Sequence, residues 1–285
     1  PDGTIADMGA YYYHQIQGCI DPVADNYDSS AIVDDGSCSY SVHTGDWYVA
    51  VDGTDSIGYG SEEYPVASIT YAVSNSATTI LINDGTYVGE NNKNIQITEG
   101  INISSLNGSE NTIIDCQNSG RGFYITSTCA IAGITIANGR PYLDQSSQGG
   151  GGIFIGSHNV SLNDIIISNC KANSGDNGYF RGGGIAVSNG SLNANNLIIK
   201  DCLSAGNGPA ISLMSSTAQF NHSLIYDNNG FSTFNIHQSS LNFDNCTIVD
   251  NFGGNEDFVY SETGTLTFEN SIIRNNNGND IDGGG

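Results

Sequence analysis

The chain has 285 residues, of which 37 are glycine and 13% are charged. Its 30 acidic residues outnumber 7 basic ones, which gives a formal net charge of −23. This charge excludes nucleic acid and anionic lipid as favoured partners, because both are negatively charged. No apolar run is long enough to insert into a membrane and no signal peptide opens the sequence, so we expect a mature or excised extracellular chain.

A short acidic module, residues 17–43, holds the first two cysteines. Cys19 and Cys38 bracket a segment too small for a hydrophobic core, so a disulfide is the economical interpretation in an oxidising compartment. Five aspartates in this module are hard oxygen ligands for calcium, or else they form turns and solvate the chain: Asp21, Asp25, Asp28, Asp34 and Asp35. Calcium is the one cofactor that the sequence suggests.

The rest of the chain repeats one pattern. A polar residue ends each repeat: Asp115, Asn138, Asn169, Asp201, Asp227, Asp250 and Asn275. An isoleucine stands two positions earlier each time: Ile113, Ile136, Ile167, Ile199, Ile225, Ile248 and Ile273. A second apolar column precedes the isoleucines: Leu106, Cys129, Val160, Leu192, Ala218, Leu241 and Leu266. Such columns predict a solenoid whose apolar columns face inward and whose polar column turns the corners.

A separate short segment with alternating apolar residues also recurs in every repeat. It falls at Ile95–Ile97, Phe123–Ile125, Ile153–Ile155, Ile185–Val187, Ile211–Leu213, Phe234–Ile236 and Phe258–Tyr260. Alternation with β-branched residues and Gly, Asn and Ser punctuation is typical of strands. The predicted fold class is therefore all-β, a parallel β-helix whose coils stack at about 4.8 Å.

Two glycine-rich segments, GGGGIFIG (149–156) and GGGIAVS (182–188), resemble right-handed parallel β-helix repeats of the pectin-lyase-like and polymorphic-membrane-protein type. Residues 47–90 are similar to the N-terminal cap of such secreted domains, which implies a cap helix near residues 65–77. The resemblance therefore implies a cap and first coil over residues 44–94 and coils over residues 95–285.

The acidic module resembles the GC-DP-A-NY-DDGSC repeats of large secreted bacterial surface proteins. That resemblance implies a bacterial cell-surface location. Residues 1–16 resemble the segment that closes a β-helix, although here they precede the cap. Either the chain is an arbitrary fragment, or such a segment completes the rod of another copy, head to tail. The residues expected at that junction are Met8, Tyr11, Tyr12, Tyr13, Phe258, Tyr260, Ile272, Ile273 and Ile281.

Two insertions, residues 139–149 and 171–181, leave adjacent coils on the same side. They collect several basic and aromatic residues into a candidate ridge for sugar or a protein partner: Arg121, Arg140, Tyr142, Lys171, Tyr179, Phe180 and Arg181. Alternatively, the basic residues balance loop aspartates. Cys170 and Cys202 follow the polar column in adjacent coils and form a second candidate disulfide pair.

The sequence shows no carboxylate pair that can be singled out for hydrolysis, so we name no catalytic residues and lean against an enzyme. The first functional hypothesis is an extracellular structural or adhesive surface repeat that forms fibres or a stalk. The alternative is a β-helix that binds or cleaves carbohydrate, by lyase or hydrolase chemistry. Asn-x-Ser/Thr sequons stand at Asn102, Asn107, Asn159, Asn189, Asn221 and Asn245.

Overall fold

The structure is a computed structural model that describes residues 15–141, 149–172, 182–253 and 258–276. The chain forms two compact units. The first contains the residues up to His43 together with Ser56–Tyr59, and the second contains Thr44–Asp55 and the residues from Gly60 onward. Within the described ranges, no helix is long and apolar enough to span a bilayer.

The first unit is held by a disulfide and a small parallel sheet. Strands Gln17–Gly18 and Val33–Asp34 pair in parallel. Cys19 and Cys38 form the predicted disulfide, with an S–S distance of 2.06 Å and a Cα–Cα distance of 4.8 Å. Cys19 is 1% exposed, so the disulfide supplies the core that so short a segment otherwise lacks.

The second unit is a right-handed parallel β-helix, as predicted. The long sheet contains Trp47–Val49, Thr79–Ile82, Gly85–Tyr87, Ile101–Ser105, Thr112–Asp115, Cys129–Ala137, Asn159–Ser168, Ser191–Lys200, Thr217–Asn221, Leu224–Tyr226, Ser240–Asp244, Thr247–Val249, Thr265–Glu269 and Ile272–Arg274. The short-strand sheet contains Ile95–Ile97, Phe123–Ile125, Ile153–Ile155, Ile185–Ser188, Ile211–Met214, Phe234–His237 and Val259–Glu262. A side sheet contains Lys171–Ala172, Leu203–Ser204, Asn229–Gly230 and Phe252–Gly253.

The predicted isoleucine column is confirmed from the second coil onward. Ile136 pairs with Ile167, Ile167 with Ile199, and Ile199 with Ile225. The register continues through Ile248 to Ile273. The isoleucines from Ile136 to Ile248 are 0% exposed. Each buried side chain of this kind stabilises the fold by about 1.5–3 kcal/mol, so the stacked columns form the core.

The first coil departs from the predicted register by one residue. Ile136 pairs with Ile114, which is buried, whereas Ile113 faces outward and is half-buried. Cys129 pairs with Ile101, not with Leu106, which is 46% exposed. The reason is a loop between strands Ile101–Ser105 and Thr112–Asp115. In later coils this region is one long strand or a tight corner. The residue spacing of those coils therefore does not apply to the first coil.

The last short strand is also shifted by one residue. Phe234 pairs with Val259, so Tyr260 occupies the outward position beside Asn235 that the sequence pattern assigned to Val259. Phe258 precedes the strand and is 2% exposed, with its ring 5.3 Å from that of Phe234. The aromatic ring is therefore buried in the core although it lies outside the ladder.

The N-terminal cap begins with Trp47, which is 3% exposed in the first strand. The cap helix is confirmed but is shorter than expected, spanning Ile69–Ser74 with Ser68 as its N-cap. Asp55 fixes its start, because Oδ1 of Asp55 accepts hydrogen bonds from the backbone N–H groups of Ala67 and Ser68. These two residues are therefore held outside the helix. A 3₁₀ turn at Glu90–Asn92 follows before the first short strand.

The polar corner column adopts left-handed backbone conformations from Asn138 onward, which agrees with the corner interpretation, whereas Asp115 pairs with Ala137 and lies in a strand. In the predicted column, the φ angles are +58° at Asn138, +51° at Asn169, +56° at Asp201, +54° at Asp227, +55° at Asp250 and +56° at Asn275. Asn and Asp tolerate this conformation better than other residues with a Cβ. Neighbouring corners also bond to each other, since Asn169 Nδ2 donates to Asn138 Oδ1 over 2.6 Å.

A buried column beside the corners changes chemistry along the rod. Cys170 and Cys202 occupy it in successive coils, and Asn228, Asn251 and Asn276 continue it. Both cysteines are free thiols, so the second candidate disulfide is not formed. Their sulfurs point inward and donate to backbone carbonyls, Cys170 to Ser168 and Cys202 to Lys200. Each thiol therefore has a backbone carbonyl group as its hydrogen-bond acceptor and remains reduced.

The glycine runs lie where coils approach each other most closely. A Cβ added at Gly152 would lie 2.7 Å from Cγ2 of Ile167 and 2.9 Å from the carbonyl oxygen of Gly184. A Cβ at Gly184 would lie 2.8 Å from the carbonyl oxygen of Ala210. These positions require glycine because the backbone of the next coil fills the space that a side chain would need.

Candidate functional site

Part of the outer face of the long sheet, in its first coils, carries no charged side chain. Two outward rows run through its first coils. One row consists of Gly100, Thr128, Asn159 and Ser191, and the second of Asn102, Ala130, Ser161 and Asn193. Side chains alternate between core and solvent along a strand, so residues between these rows face inward. Those residues are Ile101, Cys129, Val160 and Leu192, and all four are buried.

These two rows line an open groove of about 590 Å³, which we call the polar groove. Its lining runs from Thr78 to Asn193 across successive coils. At the centre of the groove Ala130, with only a methyl group, lies between Asn102 and Ser161 on the adjacent strands. A methyl group between two longer polar side chains leaves a depression with polar walls.

The polar groove combines amide and hydroxyl side chains with a larger apolar area, and no charged group is among the described residues that line it. Asn102, Thr128 and Asn193 are exposed. Ser191 Oγ donates to Asn159 Oδ1 over 2.6 Å, which fixes that amide and leaves its Nδ2 as a donor. Burial raises the pKa of the Cys129 thiol to about 12, so this thiol stays neutral at physiological pH. The groove therefore suits a neutral ligand with many hydroxyl groups.

The predicted ridge is only partly described. Arg121 is 7% exposed, with its guanidinium carbon 5.4 Å from the ring centre of Tyr124 and 5.6 Å from that of Phe154. Its Nη1 donates to the carbonyl oxygen of Gly149 over 3.1 Å. Arg121 is buried against the rod, because the stacked Tyr124 and Phe154 rings provide a surface for its cation.

The other ridge residues do not form a described cluster. Arg140 is exposed and its backbone bridges Gly120, whereas Lys171 is half-buried in the side sheet. Four ridge residues lie outside the described residues: Tyr142, Tyr179, Phe180 and Arg181. The outward positions of the neighbouring short strands are buried at Phe154, Ala186, Ser212 and Asn235. That face is therefore not an open surface in these coils.

The aspartates of the acidic module are engaged in local turns. Asp21 accepts from the backbone N–H of Val23 and from the hydroxyl of Tyr40, and the Tyr40 bond lowers the pKa of Asp21. Asp28, Asp34 and Asp35 each accept from a backbone N–H two residues later, and Asp25 accepts from Ser41. Among the described residues, no three His, Cys, Asp or Glu side chains form a metal-sized group. Calcium binding stays a prediction.

In the last described coil, core positions are more exposed than one coil earlier. Leu241 and Ile248 are 0% exposed and Phe243 is 1% exposed. The equivalent residues one coil later, Leu266, Phe268 and Ile273, are half-buried. Of the predicted junction residues, Phe258 is buried, Tyr260 and Ile273 are half-buried, and Ile272 is 60% exposed. Met8, Tyr11, Tyr12, Tyr13 and Ile281 lie outside the described residues.

No protein-family model and no curated protein matches this sequence. Among solved structures, the chain is similar to pectin methylesterase PemA from Erwinia chrysanthemi, with a TM-score of 0.47 and 11% identity over 79% of this chain and 81% of that chain. It is also similar to the GH136 lacto-N-biosidase from Eubacterium ramulus, with a TM-score of 0.42 and 11% identity over 78% of this chain and 56% of that chain. Sequence identity of this order establishes no shared activity.

The sequence did not single out the residues of the polar groove. The sequence did contain one indication of this surface, because the segments NVSLN (159–163) and SLNAN (191–195) alternate apolar residues with uncharged polar ones. In an acidic protein, several consecutive coils with outward positions free of charge mark an unusual face. Recognising it requires the strand direction and register of each coil, which the loop in the first coil obscures.

Proposed function

We propose that this protein is an extracellular carbohydrate-binding β-helix and that its polar groove binds the carbohydrate. The observation that carries the proposal is the lining itself, in which amide and hydroxyl side chains alternate with apolar groups and no charged group is among the described residues. Sugar hydroxyls both donate and accept hydrogen bonds, and amides and hydroxyls complement both roles. The disulfide of the first unit supports an extracellular, oxidising location, and a bacterial cell surface is part of the proposal.

Binding is proposed rather than cleavage. Glycoside hydrolysis needs two carboxyl groups that flank the scissile bond, and lyase chemistry needs a base beside the sugar ring. The described lining of the polar groove offers amides, hydroxyls and aliphatic groups. These groups orient a ligand but do not move protons at neutral pH.

A blocking substitution tests this function. We expect the protein to be retained by insoluble neutral polysaccharides such as cellulose, xylan or mannan, and Ser161→Arg to abolish retention by filling the groove. Asn242→Arg is the matched control, because Asn242 occupies the same outward row three coils later and is also half-buried but does not line the groove. Equal retention of both variants, or no retention of the parent protein on any neutral polysaccharide, would refute the proposal.

The choice of expression host is part of the experiment. Asn102 and Asn159 lie in sequons and line the polar groove. A host that attaches N-glycans would place a sugar inside the groove and compete with the ligand. Protein from a bacterial host without this modification therefore gives the interpretable result.

We propose end-to-end assembly as a second function, because in the last described coil Ile272 is 60% exposed and Phe268 and Ile273 are only half-buried. A second copy of the chain would cover these side chains and pair the last strands. Light scattering over a concentration series should then show association that Ile272→Asp weakens. The control is Leu106→Asp, since Leu106 is an exposed apolar residue far earlier in the rod. A parent protein that stays monomeric at every concentration would refute assembly.

A further inference from the structure

We propose that the outer face of the side sheet binds a basic polypeptide segment with apolar side chains, supplied by a partner protein. This face belongs to a different sheet from the polar groove, so the proposal does not depend on carbohydrate binding. It is carried by a patch of exposed apolar side chains and by the carboxylates that border the patch.

The side sheet exposes three large apolar side chains, which we call the side-sheet patch. Leu203 is 37% exposed, and Phe231 and Phe252 are each 49% exposed. Single apolar residues are normal on a protein surface and need no explanation. A group of them that includes two exposed aromatic rings is instead typical of an interaction site.

The register of the side sheet brings these residues together. Leu203 pairs with Asn229, and Asn229 pairs with Phe252, so the three form one outward row on successive strands. The row is about 10 Å long, because parallel strands lie about 4.8 Å apart. Phe231 lies two residues after Asn229 and faces the same side, since Gly230 between them is buried. The patch is therefore continuous around Asn229.

A column of carboxylates borders the side-sheet patch. Asp201, Asp227 and Asp250 occupy the left-handed corner of three successive coils, each two residues before a member of the patch row. The residues between the corner and the row are buried: Cys202, Asn228 and Asn251. Asp201 and Asp227 are exposed, and Asp250 Oδ1 accepts a hydrogen bond from Asn275 over 3.1 Å. Carboxylates and apolar side chains therefore flank the same corner on its outside.

Two lysines lie nearby without neutralising the column. Lys171 pairs with Leu203, at the end of the row away from Phe252. Lys200 precedes Asp201, but its Nζ lies 5.9 Å from the ring centre of Tyr226. Among the described residues, no salt bridge involves these lysines or the carboxylates of the column. The carboxylates therefore remain available to a cationic partner.

The charge of the surroundings selects the kind of partner. A segment that combines lysine or arginine with apolar side chains is complementary both to the carboxylates and to the side-sheet patch. An acidic segment or an anionic membrane would instead be repelled by the net charge of −23. One basic segment can neutralise Asp201 and Asp227 and cover Phe231 and Phe252 in the same contact.

Model peptides test the proposal with the full chain. The probe is a labelled peptide of about ten residues that alternates lysine and leucine, which is long enough to cross the side sheet. Fluorescence anisotropy should show that it binds. Replacing its leucines by serine, or its lysines by glutamate, should weaken binding at least about tenfold, because each change removes one of the two complementary features.

Two exposed apolar residues of the patch are then replaced. Leu203→Ser/Phe252→Ser should lower the affinity for the lysine–leucine peptide by about tenfold or more, since both side chains lose apolar contact. The control is Leu106→Ser, because Leu106 is 46% exposed and lies outside the side sheet. It should bind the peptide like the parent protein.

A second pair of variants tests the carboxylates. Asp201→Asn/Asp227→Asn should lower the affinity by about threefold to tenfold and reduce its dependence on salt between about 50 and 500 mM. Asparagine holds the same corner in other coils, so this variant should fold. Glu99→Gln/Glu110→Gln is the matched control, because it removes the same charge from exposed positions elsewhere.

Each other outcome has a defined meaning. Equal binding of the three peptides would show that the partner chemistry is wrong. If Leu203→Ser/Phe252→Ser bound the peptide as tightly as Leu106→Ser, the proposed site would be refuted. If the patch variant lost self-association in light scattering but not peptide binding, the occupant would be a second copy of the chain. Ser161→Arg should bind the peptide like the parent, which separates this face from the polar groove.

Discussion

The side-chain Nδ2 of Asn228 lies 2.8 Å from Oδ1 of Asn251, its equivalent one coil further along the rod. Asn251 repeats the contact with Asn276 over 2.8 Å, and all three side chains are buried. Each amide also donates to backbone carbonyl groups, as Asn251 does to Ile225 over 3.0 Å. This asparagine ladder satisfies backbone groups inside the corner that would otherwise be buried without partners.

Replacing the middle asparagine should weaken the rod. Asn251→Ala removes an acceptor of Asn228 and the donor to Ile225, so we expect a loss of about 2–3 kcal/mol in the free energy of unfolding. Urea unfolding followed by circular dichroism measures the change. Asn242→Ala, on the outer face, is the control; it removes one exposed hydrogen bond from Thr267 and should cost no more than about 1 kcal/mol. Equal losses in the two variants would contradict a special role for the ladder.

The glycine positions between coils should not tolerate a methyl group. Gly152→Ala places a Cβ 2.7 Å from Ile167 and should destabilise the protein by about 1–3 kcal/mol, because the packed backbone must move. Thermal unfolding measures the effect. In the control Gly156→Ala, the nearest atom is 3.4 Å from the new Cβ, so the midpoint should stay close to that of the parent. If Gly152→Ala also had the midpoint of the parent protein, the backbone between coils would accommodate a methyl group without loss of stability.

Stability should fall in mildly alkaline solution because of the buried thiols. Burial raises the pKa of Cys129 to about 12 and also raises the pKa of Cys116 and Cys246. The unfolded chain ionises its thiols near pH ~8.5, so above that pH it releases protons that the folded chain keeps. The contribution of the protonated thiols to the free energy of unfolding is fully present below the thiol pKa of the unfolded chain. It is lost as the pH rises toward the thiol pKa of the folded chain.

The variant Cys129→Ala isolates one thiol. Urea unfolding at about pH 8 and about pH 9.5 should show a drop in stability that is about 1 kcal/mol smaller in Cys129→Ala than in the parent. Comparing each protein with itself at two pH values cancels the cavity that the substitution leaves. An identical drop in both proteins would show that this thiol ionises equally in the folded and unfolded states.

The disulfide should stabilise the first unit selectively. Cys19 and Cys38 are 19 residues apart, and closing a loop of this size stabilises a fold by about 3 kcal/mol. In the variant Cys19→Ser/Cys38→Ser, limited proteolysis should cut within residues 17–43 much faster, because this unit has little other core. The β-helix has its own core, so its thermal midpoint should not change. Unchanged proteolysis would show that the turns alone hold the unit.

The core of the rod was predictable because its signal repeats. Ile167, Ile199, Ile225 and Ile248 fall in the expected register, since each coil imposes the same inward positions on the chain. The corners were predictable for the same reason, because few residues other than Asn, Asp and Gly adopt the left-handed conformation at low cost. The disulfide followed from the lack of any other core around Cys19.

The misplaced residues have local causes. The loop before Thr112 shifts Ile113 outward, and no spacing rule taken from later coils includes that loop. The sequence shows Asn228, Asn251 and Asn276 directly after the polar column. It does not show whether such an asparagine is exposed at a corner or buried with its amide inside the rod. The polar groove depends on a short side chain, Ala130, lying between longer ones on adjacent strands. That relationship exists only once the coils are stacked.

Trp47 is the one tryptophan in the sequence, and it is buried in the first strand of the cap. Its ring lies 6.3 Å from that of Tyr71, in the cap helix. In a solenoid each coil touches only its neighbours, so the two ends can open separately. Tryptophan fluorescence, excited at a wavelength that the 15 tyrosines do not absorb, therefore reports the opening of the cap, whereas far-ultraviolet dichroism reports all the strands together. A difference between the two melting curves measures how cooperatively the rod unfolds.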